Sequence, residues 1–455
     1  MNRMSPFLVL LIGFLLQVES IVAQSARLIT LEHPAYPALQ RLQQRGKLSE
    51  LHPMHLPWDA ASVSKALSSI DSVSLSAADK KWLTLAKSAI QRVLNTQTGV
   101  SMQLGVWHSN YLREDVLRAS EASQGPNPNA VLQGFFATDR FAVQAGAGFD
   151  RFYDRDPDGL DVSRRLFARS EGSYIAWKGA FASVQWGRFK ESWAEPGVPG
   201  VFLTSNAAAF DHISASVQAG KFRVSSMLAE LDMLGPDGTF TARDRYLEGG
   251  IRRFAALHRL EWRPNRNLYL AAVEGVLYSS SSSGISLAYA NPFTFYGLES
   301  DNDPKNHENN LILGFMGHYR FRNWSAGAQV LFDDGVLENR NALKSSGQFE
   351  PASMALVTNI YGAGVLPSID VKLLLHQVSN LAYRTDQMEG QWSYAQRGLA
   401  SNFSDFKLEQ LTVLWHTPFL TGLTVAPYVA RLRQGEGDLR LPLANDGNDA
   451  GNAPM

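Results

Sequence analysis

From about Val100 onward the apolar residues recur at every second position, and the connections between these runs alternate between very short and long. A period of two marks strands whose two faces meet different surroundings. Between Phe141 and Phe149 the odd positions are Phe141, Val143, Ala145, Ala147 and Phe149, while Gln144, Gly146 and Gly148 fall between them. The same split separates Ile213, Ala215 and Val217 from Ser214, Ser216 and Gln218, and Leu411, Val413 and Trp415 from Gln410, Thr412 and His416. Strands are expected near 98–109, 130–138, 140–150, 165–177, 179–189, 208–218, 221–231, 249–263, 267–278, 309–321, 323–332, 354–364, 368–378, 407–416 and 421–433. A soluble β-sandwich alternates in the same way, so the connections decide. Asp139-Arg140, Lys178-Gly179, Ala219-Gly220 and Arg322-Asn323 are tight turns that take turns with long loops rich in Gly, Pro, Asn and Asp. Short turns at one end and long loops at the other belong to an all-β transmembrane β-barrel of the outer-membrane kind.

Such a barrel must be exported. Arg3, the apolar stretch Phe7 to Leu16, and Ile21-Val22-Ala23 before Gln24 read as a signal peptide over residues 1–23. Beyond it no run of 18 apolar residues occurs, which excludes a membrane-spanning helix but not membrane-spanning strands. There is no cysteine, so an exported chain of 455 residues gains nothing from disulfides. The 42 basic and 43 acidic residues nearly cancel, which leaves no bulk field to attract nucleic acid. Fifteen strands is an odd number, and single-chain barrels of this kind have an even one. The Gly/Asn/Asp-rich stretch from Gly435 to Met455 reads as a surface loop that does not return, so a complete barrel of 16–18 strands is expected, with its last strands lacking here.

Residues 24–97 have a different texture and are expected to form a periplasmic helical bundle, leaving 98–455 to the barrel. Leu39 and Leu42 share a face before Gly46. Asp59 can cap a second helix carrying Val63, Ala66, Leu67 and Ile70. A third opens at Ser76 with Asp79 three residues on, and carries Trp82, Leu83, Ala86, Ala89, Ile90 and Val93 on one stripe.

No nucleophile elbow, His-Glu-x-x-His or phosphate-cradling loop is present, so no motif argues for an enzyme. Asp154, Asp156 and Asp158 before Gly159 match the start of a calcium loop, but Arg165 stands where a bidentate Glu belongs. A weak Ca²⁺ site and a polar surface turn are the two readings. The segment from Ser279 to Glu308 gathers Tyr289, Phe293, Phe295 and Tyr296 beside Asp301. Clustered rings and polar groups suit sugars, and they equally suit a loop packed over the barrel mouth. Arg188, at the end of the strand expected at 179–189, and Trp193 just after it complete the set of candidate glycan contacts. Arg253, Arg259 and Glu261 lie opposite Phe254, Leu260 and Trp262, so they line the lumen if the apolar face meets lipid.

Several stretches in order resemble the Wzi-type capsule-assembly outer-membrane proteins. They are Tyr36 to Leu42, Gly46-Lys47-Leu48, Pro57-Trp58-Asp59, Gly187-Arg188 with Trp193, Pro196 and Gly197, Leu203 to Ala207, Asn291-Pro292-Phe293, Asn309 to Gly314, and Phe332-Asp333-Asp334. The resemblance implies an eighteen-strand barrel with a periplasmic helical bundle that helps attach capsular polysaccharide in a lectin-like manner. Its partners would be outer-membrane lipid, surface polysaccharide and the polysaccharide export machinery. The other reading is a porin or transporter for a polar solute. A plugged lumen fits binding, whereas an open charged constriction fits conduction.

Overall fold

The computed structural model describes residues 26–72, 75–109, 116, 125–150, 168–240, 248–280, 284–302, 309–333, 353–385, 387–417, 423–435, 437 and 439. Each of the expected strands is present. The wall begins with β1 (Thr98–Ser109), β2 (Gly125–Ala137), β3 (Phe141–Asp150), β4 (Ala168–Ser170 with Ser173–Lys178) and β5 (Ala182–Phe189). It continues through β6 (Phe210–Ala219), β7 (Phe222–Leu234), β8 (Ile251–Trp262), β9 (Leu268–Ser280) and β10 (Asn310–Phe321). It ends with β11 (Trp324–Asp333), β12 (Ser353–Leu366), β13 (Ile369–Val378), β14 (Phe406–His416) and β15 (Thr424–Val425 with Tyr428–Gln434).

Successive strands pair antiparallel without a break from β1 to β15. The order is that of a barrel in which β15 adjoins β1. Among the described residues, however, no register joins those two. Their faces agree with that: Val100, Met102, Leu104 and Val106 are 66–77% exposed, and the intervening Ser101 and Gln103 are exposed as well.

Elsewhere the two faces differ sharply, as the alternation requires. On β8, Arg259 and Glu261 are buried in the lumen while Leu260 and Trp262 point outward, exposed. Outward apolar side chains form a continuous belt, and Phe222, Trp262, Phe321, Trp324 and Trp415 lie near the short turns as an aromatic girdle. Among the described residues no helix is long and apolar enough to cross a membrane.

Three helices precede the wall: α1 (Tyr36–Gln44), α2 (Ala60–Ser68) and α3 (Ala77–Asn95). The Asp59 carboxylate accepts from Ser62 N at 2.8 Å, and Ser76 Oγ accepts from Asp79 N at 3.1 Å, which satisfies amides that the helix starts leave unpaired. Leu39, Leu42, Val63, Ala66, Trp82, Ala86 and Ile90 form a core of their own. This bundle sits on the turn end of the barrel through polar contacts. Lys178 Nζ meets Asp59 Oδ2 at 2.6 Å, Arg320 Nη2 donates to Gln43 O at 3.2 Å, and Arg45 pairs with Asp370. Gly46, with φ of 76°, turns the chain where a Cβ would come within 2.8 Å of Arg320 Nε.

Candidate functional site

The lumen is occupied from both ends. From the turn end, residues 49–56 of the bundle enter it. From the loop end, two long segments, 191–209 and 379–405, fold inward instead of outward. Trp193, Phe202, Leu203, Tyr383 and Trp392 from these segments pack with Met54 of the bundle and with wall residues Leu257, Val273 and Ile312 in one buried cluster.

Backbone groups taken into that cluster need partners, and they have them. Trp193 N donates to Leu203 O (2.9 Å) and Trp392 Nε1 to Phe202 O (2.9 Å). Tyr383 Oη donates to Val201 O (2.7 Å), and Thr204 N to Leu399 O (2.9 Å). Gln329 on β11 serves both sides of the loop, with Nε2 donating to Trp193 O (3.0 Å) and Oε1 accepting from Val201 N (3.0 Å). The Phe202 ring seats against Gly314, where a Cβ would approach it to 2.7 Å.

Charge fills the space between plug and bundle. Arg259 Nη1 donates to Met54 O (2.7 Å), its Nε lies 2.9 Å from Glu261 Oε1, and its guanidinium covers the Trp193 ring at 4.4 Å. His52 pairs with Glu261, and His55 contacts Arg259. Burial pushes His52 down to about 4. Glu261 partly opposes that shift, while Arg223 and Arg259 add to it. His55 is driven well below its ordinary value by burial and by the same two arginines. Glu191 accepts from Trp193 Nε1 (2.8 Å) and from Ser214 Oγ (2.5 Å). Burial works against its ionisation, but hydrogen bonds from His212 and Ser214 and the nearby histidines hold it at about 2. Arg253 ties the second plug segment to the wall, donating from Nε to Glu389 O (3.0 Å) while Nη1 meets Asp232 Oδ1 (2.7 Å).

Beside the plug lies a polar cavity of about 700 Å³, lined by Thr204, Asn206, Lys372, His376, Phe403 and Gln410 among others. Asn206 Nδ2 donates to Asn402 Oδ1 (2.6 Å), Lys372 Nζ to Gly197 O (2.7 Å), and the buried His376 Nε2 has no partner among the described residues. Amides, hydroxyls and a cation around one ring suit a neutral polyol or sugar better than an apolar ligand. A second cavity of about 620 Å³ runs between the bundle and β1–β3, past Arg27, His33, Gln103 and Gln133.

The structure does not bring the sequence candidates together. Trp193 is 1% exposed inside the plug, with its ring already covered by Arg259. Arg188 continues the outward-facing set of Val184 and Trp186 and is held by Asp211 opposite, at 3.0 Å from Nε, so it does not line the lumen. Tyr289 and Tyr296 are buried, whereas Phe293 and Phe295 are exposed, and all four lie outside the barrel rather than over its mouth. Asp301 lies in the helix Tyr296–Asn302. Asp154, Asp156 and Asp158 fall outside the described residues, and among those described no cluster of metal-ligating side chains occurs. By contrast Arg253, Arg259 and Glu261 do line the lumen. The cavity residues from 372 to 410 were missed. Their only signal was polar side chains on the inward positions of β13 and β14.

No protein-family model matches this chain, and no curated protein does. Among solved structures it is similar to Wzi of Escherichia coli, an outer membrane protein involved in group 1 capsule assembly and a carbohydrate-binding β-barrel. The TM-score is 0.62 at 12% identity, over 92% of this chain and 88% of that one. OccD3 of Pseudomonas aeruginosa aligns with a TM-score of 0.32 and 9% identity over 69% of this chain and 83% of its own. OmpT of Vibrio cholerae gives 0.35 and 10% over 74% and 89%. The apolar belt and the girdle place the chain in an outer membrane, and its fold is like that of the Wzi barrel.

Proposed function

We propose that this protein is a non-enzymatic outer-membrane surface protein that holds capsular or other extracellular polysaccharide, with the lumenal cavity around Lys372, His376 and Gln410 as the contact site. The observation that carries this reading is the plug. Two loop-end segments and the bundle tip meet at Met54, Trp193 and Phe202, hydrogen-bonded to the wall and to each other. Conduction needs a wetted path, and a packed aromatic cluster across the lumen opposes one. Retention needs a rigid polar recess, which the plug helps to build through Thr204, Asn206 and Phe403 and the bundle through Tyr36 and Gln40. The carbohydrate binding of the Wzi barrel supports the same reading. The bundle, on the periplasmic side in this arrangement, is where the export machinery would dock.

The test measures purified protein in a planar bilayer and on polysaccharide-coated beads. The expected result is a closed barrel that retains polysaccharide, with retention reduced about tenfold by the double variant Lys372→Ala/Gln410→Ala, the loss of about 1.4 kcal/mol that two polar contacts represent. Steady channels indifferent to polysaccharide would move the assignment to a porin.

A further inference from the structure

The alternation along β7–β10 says which side chains meet lipid, and over one patch that rule is broken. On β8, Leu260 and Trp262 point outward and are 53% and 40% exposed, yet Phe254 and Ala256 on the same face are fully buried. On β9, Leu270 is 42% exposed, while Val276 and Tyr278 on its face are buried. The cover is residues 284–302, which contain the short helices α4 (Leu287–Ala290) and α5 (Tyr296–Asn302). Tyr289 and Tyr296 pack on Phe254, Val276 and Tyr278 against the outside of the wall. Ser286 N donates to Tyr278 Oη (3.2 Å) and Gly297 N to Glu274 Oε1 (2.9 Å).

Beneath the cover a histidine and a carboxylate meet on the lipid-facing side. His258 and Glu274 stand opposite each other in register, with His258 Nε2 3.1 Å from Glu274 Oε2, and the Tyr296 ring centroid lies 4.4 Å from that of His258. Four residues nearer the turn, the same faces carry Trp262 and Leu270. On the next strand, Leu313 pairs with Glu274 and is 43% exposed. The row is otherwise one that meets hydrocarbon, where a bare carboxylate is strongly disfavoured. On its far side the covering segment turns Leu287 (84% exposed), Phe293 (76%), Phe295 (69%) and Leu298 (64%) away from the protein. The only charged residues between 284 and 302 are Glu299 and Asp301. Four large apolar groups in twelve residues, continuous with the belt, mark a contact surface rather than scatter.

We propose that residues 284–302 form a flap lying in the outer leaflet against the outside of the barrel, shielding the His258–Glu274 pair, with Leu287, Phe293, Phe295 and Leu298 in contact with lipid acyl chains. Continuity with the outward face of β7–β10 assigns the occupant, because that face is already solvated by hydrocarbon. The inference rests on the barrel spanning a membrane and is independent of whether polysaccharide is bound.

The chain has no cysteine, so single environment-sensitive fluorophores can be placed at will. Phe293→Cys and Leu287→Cys are labelled in the full-length protein in vesicles of brominated phosphatidylcholine. Leu411→Cys, on the belt, and Lys87→Cys, on α3, serve as the lipid and water references. The expected quenching at 293 and 287 is within about twofold of that at 411, with 87 near background. Quenching at both flap positions no greater than at 87, in protein whose 411 probe is quenched, overturns the proposal. So does an unquenched 293 label when the unlabelled Phe293→Cys thiol is joined to a second copy by a bifunctional maleimide, since protein then covers the flap.

Discussion

Arg259 shows how a single buried cation can hold two parts of a chain together. It is fully buried, yet it reaches Glu261 on its own strand, Met54 O on the bundle loop and the face of Trp193 in the plug. A lysine has neither the fork nor the flat face to make those contacts at once. Removing one partner of a buried pair leaves the other uncompensated, at roughly 3–5 kcal/mol. Arg259→Ala is therefore expected to lower the thermal unfolding midpoint of the detergent-solubilised barrel more than Arg252→Ala does, since the Arg252–Glu230 pair, with side chains 43% and 33% exposed, is screened by solvent. Equal shifts would mean that the Arg259 cluster contributes no more than a surface pair. Arg259→Lys should recover only part of the loss.

At the scale of elements, the attachment of the bundle to the barrel is titratable. His52 and His55 lie between bundle and wall, and burial holds both below the ordinary histidine range, His52 at about 4. In the undocked bundle each returns to about 6.5. The docked state therefore binds fewer protons below pH 6.5, so docking is at full strength above that pH and weakens as pH falls; the His52 contribution levels off below about 4, and His55 acts in the same direction. For His52, whose side chain is 14% exposed, the span corresponds to on the order of 3 kcal/mol. Hydrogen exchange of residues 47–57 is expected to be unchanged from pH 8 to 7 and to lose protection, relative to the core of β9, between 6.5 and 4.5. Protection that stays flat across that window would show that the histidines do not set docking. The elements themselves were legible: a wall strand faces two solvents, so its period of two survives in sequence, as in Phe141–Asp150. The helix caps at Asp59 and Ser76 were legible for a similarly local reason. What the loops do was not. Residues 191–209 and 379–405 turn inward and 284–302 turns outward. Both fates use the same aromatic, Gly-rich and Asn-rich composition, because the choice depends on which wall positions lie within reach, such as Gly314 under Phe202 or Tyr278 beside Tyr289.

For the whole molecule the decisive place is the junction of β1 and β15. A lipid bilayer supplies no hydrogen-bond partners, so an edge strand left open there costs several kcal/mol for each unpaired group. From β2 to β14 each wall strand has a registered neighbour on both sides, and the barrel-filling plug backs much of that wall. Although the strand order closes the barrel between them, among the described residues β1 and β15 each have one registered neighbour, and the outward Val100, Met102, Leu104 and Val429 are 66–77% exposed. The cavity of about 620 Å³ past Gln103 and Gln133 runs along this same stretch. Local stability should fall accordingly toward the junction. Backbone amides of 99–106 and 428–434 are expected to exchange at least about tenfold faster than those of 254–260 and 270–277 in the detergent-solubilised protein, a difference of about 1.4 kcal/mol in opening free energy. Adding a membrane should slow the first set only if lipid alone can seal the edge. Equal protection in all four stretches would mean that β1 and β15 pair directly in solution, and the barrel would then be closed by fifteen strands.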